Sequence, residues 1–475
     1  MESTLGPKVR AIRRSRGITQ AELARRLGIS ASYLNLIEHN RRSFTADLLV
    51  RLAECLPIDI KTLSTAQDGR AVTELLEAFG DPLFENLDVV AAEVKEFATN
   101  SPTAAQGVLR LYEAYRSARE SAYNLGNKLL SGSELPGIFA SKLPTEEVND
   151  LLQRHLNYFP ELEEGAEALT RDAHLERDFL FNGLATYLQQ TKGIEVRIEQ
   201  PGNMQGAFRR YDPVKRILSL SEALRRGSRN FQLAHQVGLL TQDEILKRIA
   251  DDPLITTDES RALSRVVLAS YFAGCVLMPY TAFLQAAQDE RYDIDLLGHR
   301  FRASFEQTCH RLTSLRRPGA EGIPFHQIRI DIAGNISKRF SASGIRFPRF
   351  GGACPRWNVF EAFLTPGMIR PQLSQFPDGQ VYFEVARTVR KASGGHRGPR
   401  AQYAISLGCE VSYAREMVYA DGLDLTSREA LVTVGPTCRL CDRMDCEQRA
   451  YPPVQQPLAV NEDVRGVSFY APPSS

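Results

Sequence analysis

Apolar positions recur every three or four residues along much of the chain, a spacing that predicts a mainly helical protein. Between residues 7 and 64, Val9, Ile12, Leu23, Leu27 and Ile29 stand at helical intervals, and five short helices are expected there. Thr19-Gln20-Ala21-Glu22 reads as a capping box, the threonine hydroxyl taking the Glu22 amide while the glutamate reaches back. That helix closes at Gly28, which suits a left-handed cap. Ser30 then caps a second helix, Ala31–Glu38, with Tyr33, Leu34 and Ile37 turned inward. Two short helices joined by a tight glycine-containing turn make a helix-turn-helix. Residues 71–130 continue as helices separated by Gly80-Asp81-Pro82 and Ser101-Pro102, and 131–145 (SGSELPGIFASKLPT) read as a linker. No internal repeat or low-complexity tract interrupts the pattern.

From about residue 147 the periods mix. LERDFLFNGLATYLQQTKGIEVRIEQ predicts a helix, a stop at Gly193 and an alternating strand, and RRYDPVKRILSLSEAL predicts a strand followed by a capped helix. Residues 266–288 carry no charge over 23 positions, but the strongly apolar part, Val266–Met278, is 13 residues and stops at Pro279. A spanning helix needs about 20 apolar residues, so this segment reads as a buried core helix, and no membrane partner is expected.

Length and charge then refine the picture. At 475 residues the chain is long enough for roughly three domains, since domains average about 150 residues. With 43% hydrophobic and 24% charged residues it is globular in composition. The formal charge of +1 is unevenly spread: residues 1–64 hold 11 Lys/Arg and 6 Asp/Glu, net +5, leaving −4 for the remainder. A basic head on a faintly acidic body points to an anionic polymer for the head. The opening MESTLGPKVRAIRRSR has charge but no apolar signal core, and eight cysteines make no disulfide scaffold, so a reduced, cytoplasmic protein is expected.

The string ITQAELARRLGISASYLNLIEHNRR resembles the xenobiotic-response-element (XRE) family of helix-turn-helix domains, which includes the phage repressors. In that family the second helix of the motif enters the major groove with its N-terminal residues at base edges. The resemblance implies a DNA-binding set of Gln20, Ser30, Ala31, Ser32, Asn35, Asn40, Arg41 and Arg42. Ala31, Ser32 and Asn35 would face bases, Gln20 would hold a phosphate, and Asn40, Arg41 and Arg42 would serve the backbone. Two small residues at base-facing positions give modest direct readout, so DNA shape and a second half-site are expected to contribute.

Phe231-Gln-Leu-Ala-His235-Gln236-Val-Gly-Leu239 sits where a zinc peptidase would carry H-E-x-x-H, two histidine ligands flanking a glutamate base. His235 is present, but Gln236 cannot take a proton from water and Leu239 cannot ligate. With ASYFAGCVLMPY further on, the region resembles the metallopeptidase-like domain of the ImmA/IrrE family, whose third ligand position is Leu268 here. The expectation is a degenerate scaffold with no catalytic residue and a cleft left free for a ligand; His235 becomes a core or capping histidine. A working zinc metallopeptidase that cleaves a partner repressor is the competing reading.

Residues 300–350 hold 10 Lys/Arg and 3 Asp/Glu, a +7 stretch suited to a second anionic partner or to a solvated face with interdomain ion pairs. Cys438, Cys441 and Cys446 form C-x₂-C-x₄-C, a thiolate spacing for an iron–sulfur cluster or zinc. Three close cysteines and a remote fourth suit a [4Fe–4S] site better than a zinc ribbon, with Cys409 or Cys354 as the fourth ligand. Cys55, Cys275 and Cys309 lie among apolar neighbours and read as core.

Taken with RIDIAGNISKRFSASGIRFPRFGGACPRWNVFEAF, LGCEVSYAREMVYADGLDL and PTCRLCDRMDCEQRAYPP, nearly the whole chain resembles the short-chain fatty acyl transcriptional regulators. The resemblance implies a homodimer or higher homo-oligomer on double-stranded operator DNA. It also implies a short-chain acyl-coenzyme A effector such as propionyl- or acetyl-CoA, and control of propionate or glyoxylate-type carbon metabolism. Lys338, Arg339, Arg346, Arg349 and Trp357 are the implied ligand contacts, and some members carry a C-terminal cysteine-bound cluster. The expected fold class is α+β and multidomain. Residues 1–66 form an all-α helix-turn-helix head, 67–146 a helical connector that dimerises, 147–298 a degenerate zincin-like α+β domain, and 299–475 a C-terminal α+β sensor domain with the cysteine cluster.

Overall fold

The computed structural model describes residues 9–10, 13, 18–38, 42, 48, 51–52, 55, 66–84, 89–131, 144–345, 347, 354–392, 400–435, 437–438, 441, 443 and 446–451. Contacts divide the chain into two compact units, one of residues 1–140, 348–350 and 438–475, the other of 141–347 and 351–437.

In the first unit the helix-turn-helix is formed by α1 (Gln20–Leu27) and α2 (Ala31–Glu38). The Thr19 hydroxyl accepts from the Glu22 amide at 3.2 Å, as the capping box requires, but the Glu22 carboxylate instead bridges Arg25 (2.6 Å) and Arg26 (3.0 Å). Two arginines one turn further on are stronger partners than a neutral backbone amide, and they win the side chain. Gly28 closes α1 at φ 69°, and the Ser30 hydroxyl accepts from the Tyr33 amide at 3.1 Å. Leu23, Leu27, Leu34 and Ile37 have no exposed surface and form a small core with Val9 and Leu52. The connector is α3 (Ala66–Phe79), α4 (Ala91–Asn100) and the 30-residue α5 (Pro102–Ser131), packed around Leu75, Val94, Ala105 and Tyr112. The linker at 132–143 lies outside the described residues.

The second unit begins with helices α6 (Pro144–Arg154), α7 (Pro160–Asp172) and α8 (Leu180–Lys192). Gly193, at φ 63°, turns the chain into β1 (Glu195–Glu199). The segment expected as one strand and a capped helix is a hairpin of β2 (Arg209–Asp212) and β3 (Ile217–Ser221). Asp212 makes the turn by accepting from the Val214 and Lys215 amides, both at 3.0 Å, a local bond that short Asp and Asn side chains are suited to make. The sheet order is β1-β3-β2, with β1 and β3 parallel. Next come α9 (Arg226–Thr241), α10 (Asp243–Ala250), α11 (Asp258–Leu277), α12 (Tyr280–Asp289), α13 (Ile294–Phe301) and α14 (Phe305–Thr313). Among the described residues α11 alone is long and apolar enough to cross a membrane. It is the central helix of the domain, packed along α9 and touching α6, α7 and α10, with Leu268, Tyr271 and Phe272 buried.

The remainder is a six-stranded sheet of β4 (His326–Asp331), β5 (Ile336–Ser341), β6 (Arg370–Gln375), β7 (Val381–Ala392), β8 (Arg400–Glu410) and β9 (Leu431–Thr433), in the order β9-β6-β7-β8-β4-β5. Strand alternation gives it two faces. Phe383, Val385, Ile405, Leu407 and Cys409 join the helical core, whereas Ile328, Ile330, Tyr382, Ala386 and Ala404 meet Trp357, Val359 and Cys354 in a second core. The first of these cores runs from Leu151 to Ala420, so no break in packing falls at the expected 298/299 boundary.

Candidate nucleic-acid interface and effector region

On α2, Ala31, Ser32 and Asn35 are exposed on the side away from Leu34 and Ile37, and Ser30 precedes them at the cap. The i, i+1, i+4 spacing puts three short side chains on one helical face, the arrangement a recognition helix needs. Gln20 stands beside them: its side-chain amide donates to Asn35 Oδ1 at 3.3 Å and to Glu38 Oε2 at 2.9 Å. Glu38 is itself buried and takes two bonds from Arg13, 2.6 and 2.9 Å long. Arg13 and Glu38 thereby fix the last turn of α2, a role not read from the sequence; the signal was a pair of charges at apolar-periodic positions. Arg42 is exposed and its amide donates to the Leu36 carbonyl at 3.2 Å, while Asn40 and Arg41 lie outside the described residues.

In the middle domain His235, Gln236 and Leu239 follow one another on α9 and Leu268 lies on α11. His235 is buried, its Nε2 3.1 Å from the Val266 carbonyl oxygen of α11 and its Nδ1 against the Arg209 guanidinium of β2. Burial, followed by the Arg209 charge, pushes His235 down to about 4, so the ring is neutral at physiological pH. With a carbonyl at Nε2 and a guanidinium at Nδ1, the tautomer protonated on Nε2 satisfies both contacts. Among the described residues no group of three histidine, cysteine or acidic side chains is gathered to hold a metal. Phe272 against Gly238, and the buried Arg311–Glu163 pair at 2.6 Å, keep the helices in place without the chemistry.

Of the implied effector contacts that are described, Lys338 and Trp357 lie on opposite faces of the sheet. Lys338 pairs across strands with Arg329 and sits 3.4 Å from Glu306 of α14; Arg339 pairs with Glu146 of α6. Trp357 belongs to the second core, on the sheet face that carries Ile328 and Ile330 and not Arg329. Arg346 and Arg349 lie outside the described residues. Glu306 receives Arg329 (2.6 Å), Lys391 (2.9 Å) and Lys338; burial would raise it, but the three cations hold it down at about 2.

Cys409 is wholly buried on β8 with its thiol 3.8 Å from the Met417 sulfur, and burial pushes that thiol up. Cys354 lies buried in the second core. Around Cys438, Cys441 and Cys446 the buried Arg449 donates to the carbonyls of Cys438 (2.6 Å), Cys441 (2.7 Å) and Arg443, gathering the loop backbone. The donor chemistry there is that of a thiolate metal site, yet the three sulfurs are not brought together as a ligand set.

The comparisons with known proteins agree with this division of labour. Residues 9–63 match the helix-turn-helix family, 189–313 the IrrE N-terminal-like domain, and 314–470 the C-terminal domain of the short-chain fatty acyl coenzyme A regulators. The fold and the exposed recognition helix define a helix-turn-helix transcriptional regulator, and the peptidase-like middle carries Gln236, Leu239 and Leu268 where a zinc peptidase would carry its base and two of its ligands. The chain belongs to the short-chain fatty acyl coenzyme A regulator family. It is 40% identical to the "Propionyl-CoA carboxylase regulator" of Cereibacter sphaeroides over 98% of each chain. It is 38% identical to "HTH-type transcriptional regulator PrpR" of Mycobacterium tuberculosis, over 96% of this chain and 93% of that one. "HTH-type transcriptional regulator RamB" of the same species is 37% identical over 98% of each. A solved "Mycobacterium tuberculosis transcriptional regulator" superposes with TM-score 0.66 at 40% identity, covering 70% of this chain and all of that one. These relatives are regulators, and the chain is a regulator and not an enzyme; the metallopeptidase alternative is not favoured.

Proposed function

We propose that this regulator binds operator DNA as a cytoplasmic homodimer and changes its affinity when a short-chain acyl-CoA binds, so controlling propionate or glyoxylate-type carbon metabolism. The observation that carries the reading is the match of residues 314–470 to the short-chain fatty acyl coenzyme A regulators. The relative named as a regulator of propionyl-CoA carboxylase supports the choice of short acyl chain. Ala31, Ser32 and Asn35 meet base edges, and Gln20, Ser30, Asn40, Arg41 and Arg42 meet the backbone. Most of the affinity comes from phosphates and falls with salt. The acyl-CoA acts by binding one of two arrangements of the chain more tightly, since a ligand with equal affinity for both would shift nothing. Titration calorimetry with acetyl-, propionyl- and palmitoyl-CoA and with free propionate tests it: the two short esters should bind, and equal binding of palmitoyl-CoA, or of none, contradicts the reading.

Cys438, Cys441 and Cys446 are proposed to hold a [4Fe–4S] cluster, or zinc, once their sulfurs converge on it, with Arg449 holding the loop backbone. A cluster would supply a redox-sensitive clamp on the C-terminal segment, and zinc a redox-inert one. Metal analysis of anaerobically purified protein and of its Cys441→Ser variant tests this; a metal-free wild-type chain would refute it.

A further inference from the structure

A connected chain of polar groups lies on the sheet face that carries the second core. His326, the first residue of β4, is wholly buried, with its Nδ1 2.7 Å from the Ser343 hydroxyl and its Nε2 3.0 Å from Glu384 Oε1. The other Glu384 oxygen accepts from the Ser374 hydroxyl, and both of these residues are buried too. Strand register builds the arrangement. Gly408 of β8 lies opposite His326 of β4 on one side and Glu384 of β7 on the other, so imidazole and carboxylate meet over it. A Cβ at Gly408 would stand 2.4 Å from His326 Nε2 and 2.7 Å from Glu384 Cγ, so glycine is what leaves room for the pair. Phe347 and Tyr382 meet the imidazole edge to face, with centroids 5.7 and 5.5 Å away.

The partners fix the hydrogen-bond roles. A carboxylate only accepts, so His326 carries its proton on Nε2 and presents the Nδ1 lone pair to the Ser343 O–H. A hydroxyl bonded to an imidazole, itself oriented by a buried carboxylate, is the constellation that makes serine a nucleophile, and geometry defines it rather than chain order. The two ring nitrogens have exchanged their usual places here, which leaves the proton path intact because either is basic when the other is protonated. Burying a carboxylate and an imidazole among aromatic rings is costly, and apolar side chains would fill that space without the penalty. Ser343 stands at the edge of the chain of groups: half-buried, two residues beyond β5, in a turn with Gly344 at φ 85°. The Ser343 and Gly344 amides meet no acceptor among the described residues, and such donors are what a developing oxyanion requires. Among the described residues no other histidine side chain pairs with a carboxylate.

We propose that Ser343 is a nucleophile, with His326 as its general base and Glu384 positioning the ring, and that it takes the acyl group of a short-chain acyl-CoA onto its own hydroxyl. The choice of donor rests on the acyl-CoA reading above, whereas the activated serine does not. Ser343 Oγ bonds to the thioester carbonyl carbon as its proton passes to His326 Nδ1. The C–S bond then breaks, and the proton leaves on the coenzyme A thiol. One acyl ester remains per chain, a mark on a regulator and not a turnover. The ester has no O–H to give, so the buried His326 Nδ1 loses its donor, and β4 and β5 feel the change.

The full-length chain, incubated with propionyl-CoA, quenched in acid and mapped by peptide mass, should carry one propionyl group on Ser343 and release one coenzyme A thiol. Ser343→Ala should carry none. His326→Gln should acylate about 10²–10⁴-fold more slowly, the usual worth of a general base. Glu384→Gln should slow acylation while propionyl-CoA affinity by calorimetry stays unchanged, a split that lost packing alone would not give. A fluorophosphonate, which labels activated serines without any acyl-CoA, needs no variant and should mark Ser343 of the wild-type chain. A fluorophosphonate on Ser343 with no binding of propionyl-CoA would keep the nucleophile and refute the effector reading. Fluorophosphonate labelling beside bound but unreacted propionyl-CoA would overturn the acyl transfer. Bound propionyl-CoA with neither group on Ser343 would overturn the whole proposal and leave His326 and Glu384 a packing pair.

Discussion

Arg13 in the DNA-binding head and Arg209 in the peptidase-like domain are both drawn away from water, yet only Arg13 meets a carboxylate. Arg13 and Glu38 are joined by two short bonds and lock the recognition helix; Arg209 rests on a neutral histidine and a carbonyl. The head spends its buried charge on rigidity, because base readout needs α2 in a fixed pose. The middle domain keeps its scaffold through Phe272, Leu268 and the Arg311–Glu163 pair, while Arg209 beside His235 meets no carboxylate among the described residues. A fold outlives its reaction because the packing positions are many and the chemical ones are few.

The comparison can be broken most sharply at the matched pairs. Glu38→Ala and Glu163→Ala should each cost about 3–5 kcal/mol, since each strands a buried arginine. Chemical denaturation should show the first loss in the head, with DNA binding, and the second in the body. Equal, small losses would mean that neither pair holds its region. Acid provides the next test. His235 is neutral in the fold and titrates near 6.5 when unfolded, so the unfolded chain binds the extra proton first. Stability should therefore fall as pH drops from about 6.5 towards 4, and His235→Gln should remove about 3 kcal/mol of that loss. Glu163 acts in the same direction lower down: burial would raise it, but Arg311 holds it below the carboxylate range, and its contribution is lost as that carboxylate protonates.

Smaller effects sharpen the head's side. Asn35→Ala should relax sequence preference by about 1–3 kcal/mol at one base pair, whereas Arg41→Ala should weaken all DNA alike and lower the salt slope by about one. Parallel losses of specificity in the two variants would overturn the assignment. Thr19→Ala, which removes the cap on the Glu22 amide, should cost about 1 kcal/mol of head stability.

Much of this was legible in the chain. The caps at Thr19, Gly28 and Ser30 are local and are written in two or three adjacent residues. The missing base at Gln236 and the missing ligands at Leu239 and Leu268 were visible because a motif fixes its own spacing. What escaped was competition between local partners, and contacts made only in the folded chain. Glu22 turned to Arg25 and Arg26, since charge competes better than a backbone amide. SEAL became a turn after a hairpin, because Asp212 ties the loop that makes two strands of one. Lys338, in the basic stretch, and Trp357, just beyond it, landed on opposite faces of a sheet whose register sequence spacing does not reveal. The pairing of Arg13 with Glu38, 25 residues apart, could be seen only once the helices met.

The central claim is that one chain couples an acyl-CoA to an operator. Fluorescence anisotropy of the chain on its own promoter DNA, at one fixed salt concentration, with and without saturating propionyl-CoA, tests that coupling directly. Coupling between sites is typically worth about 5- to 150-fold in affinity. A change of that size, reproduced by acetyl-CoA or propionyl-CoA and absent with free propionate, is the expected result; DNA affinity that stays the same at saturating ester would contradict the account.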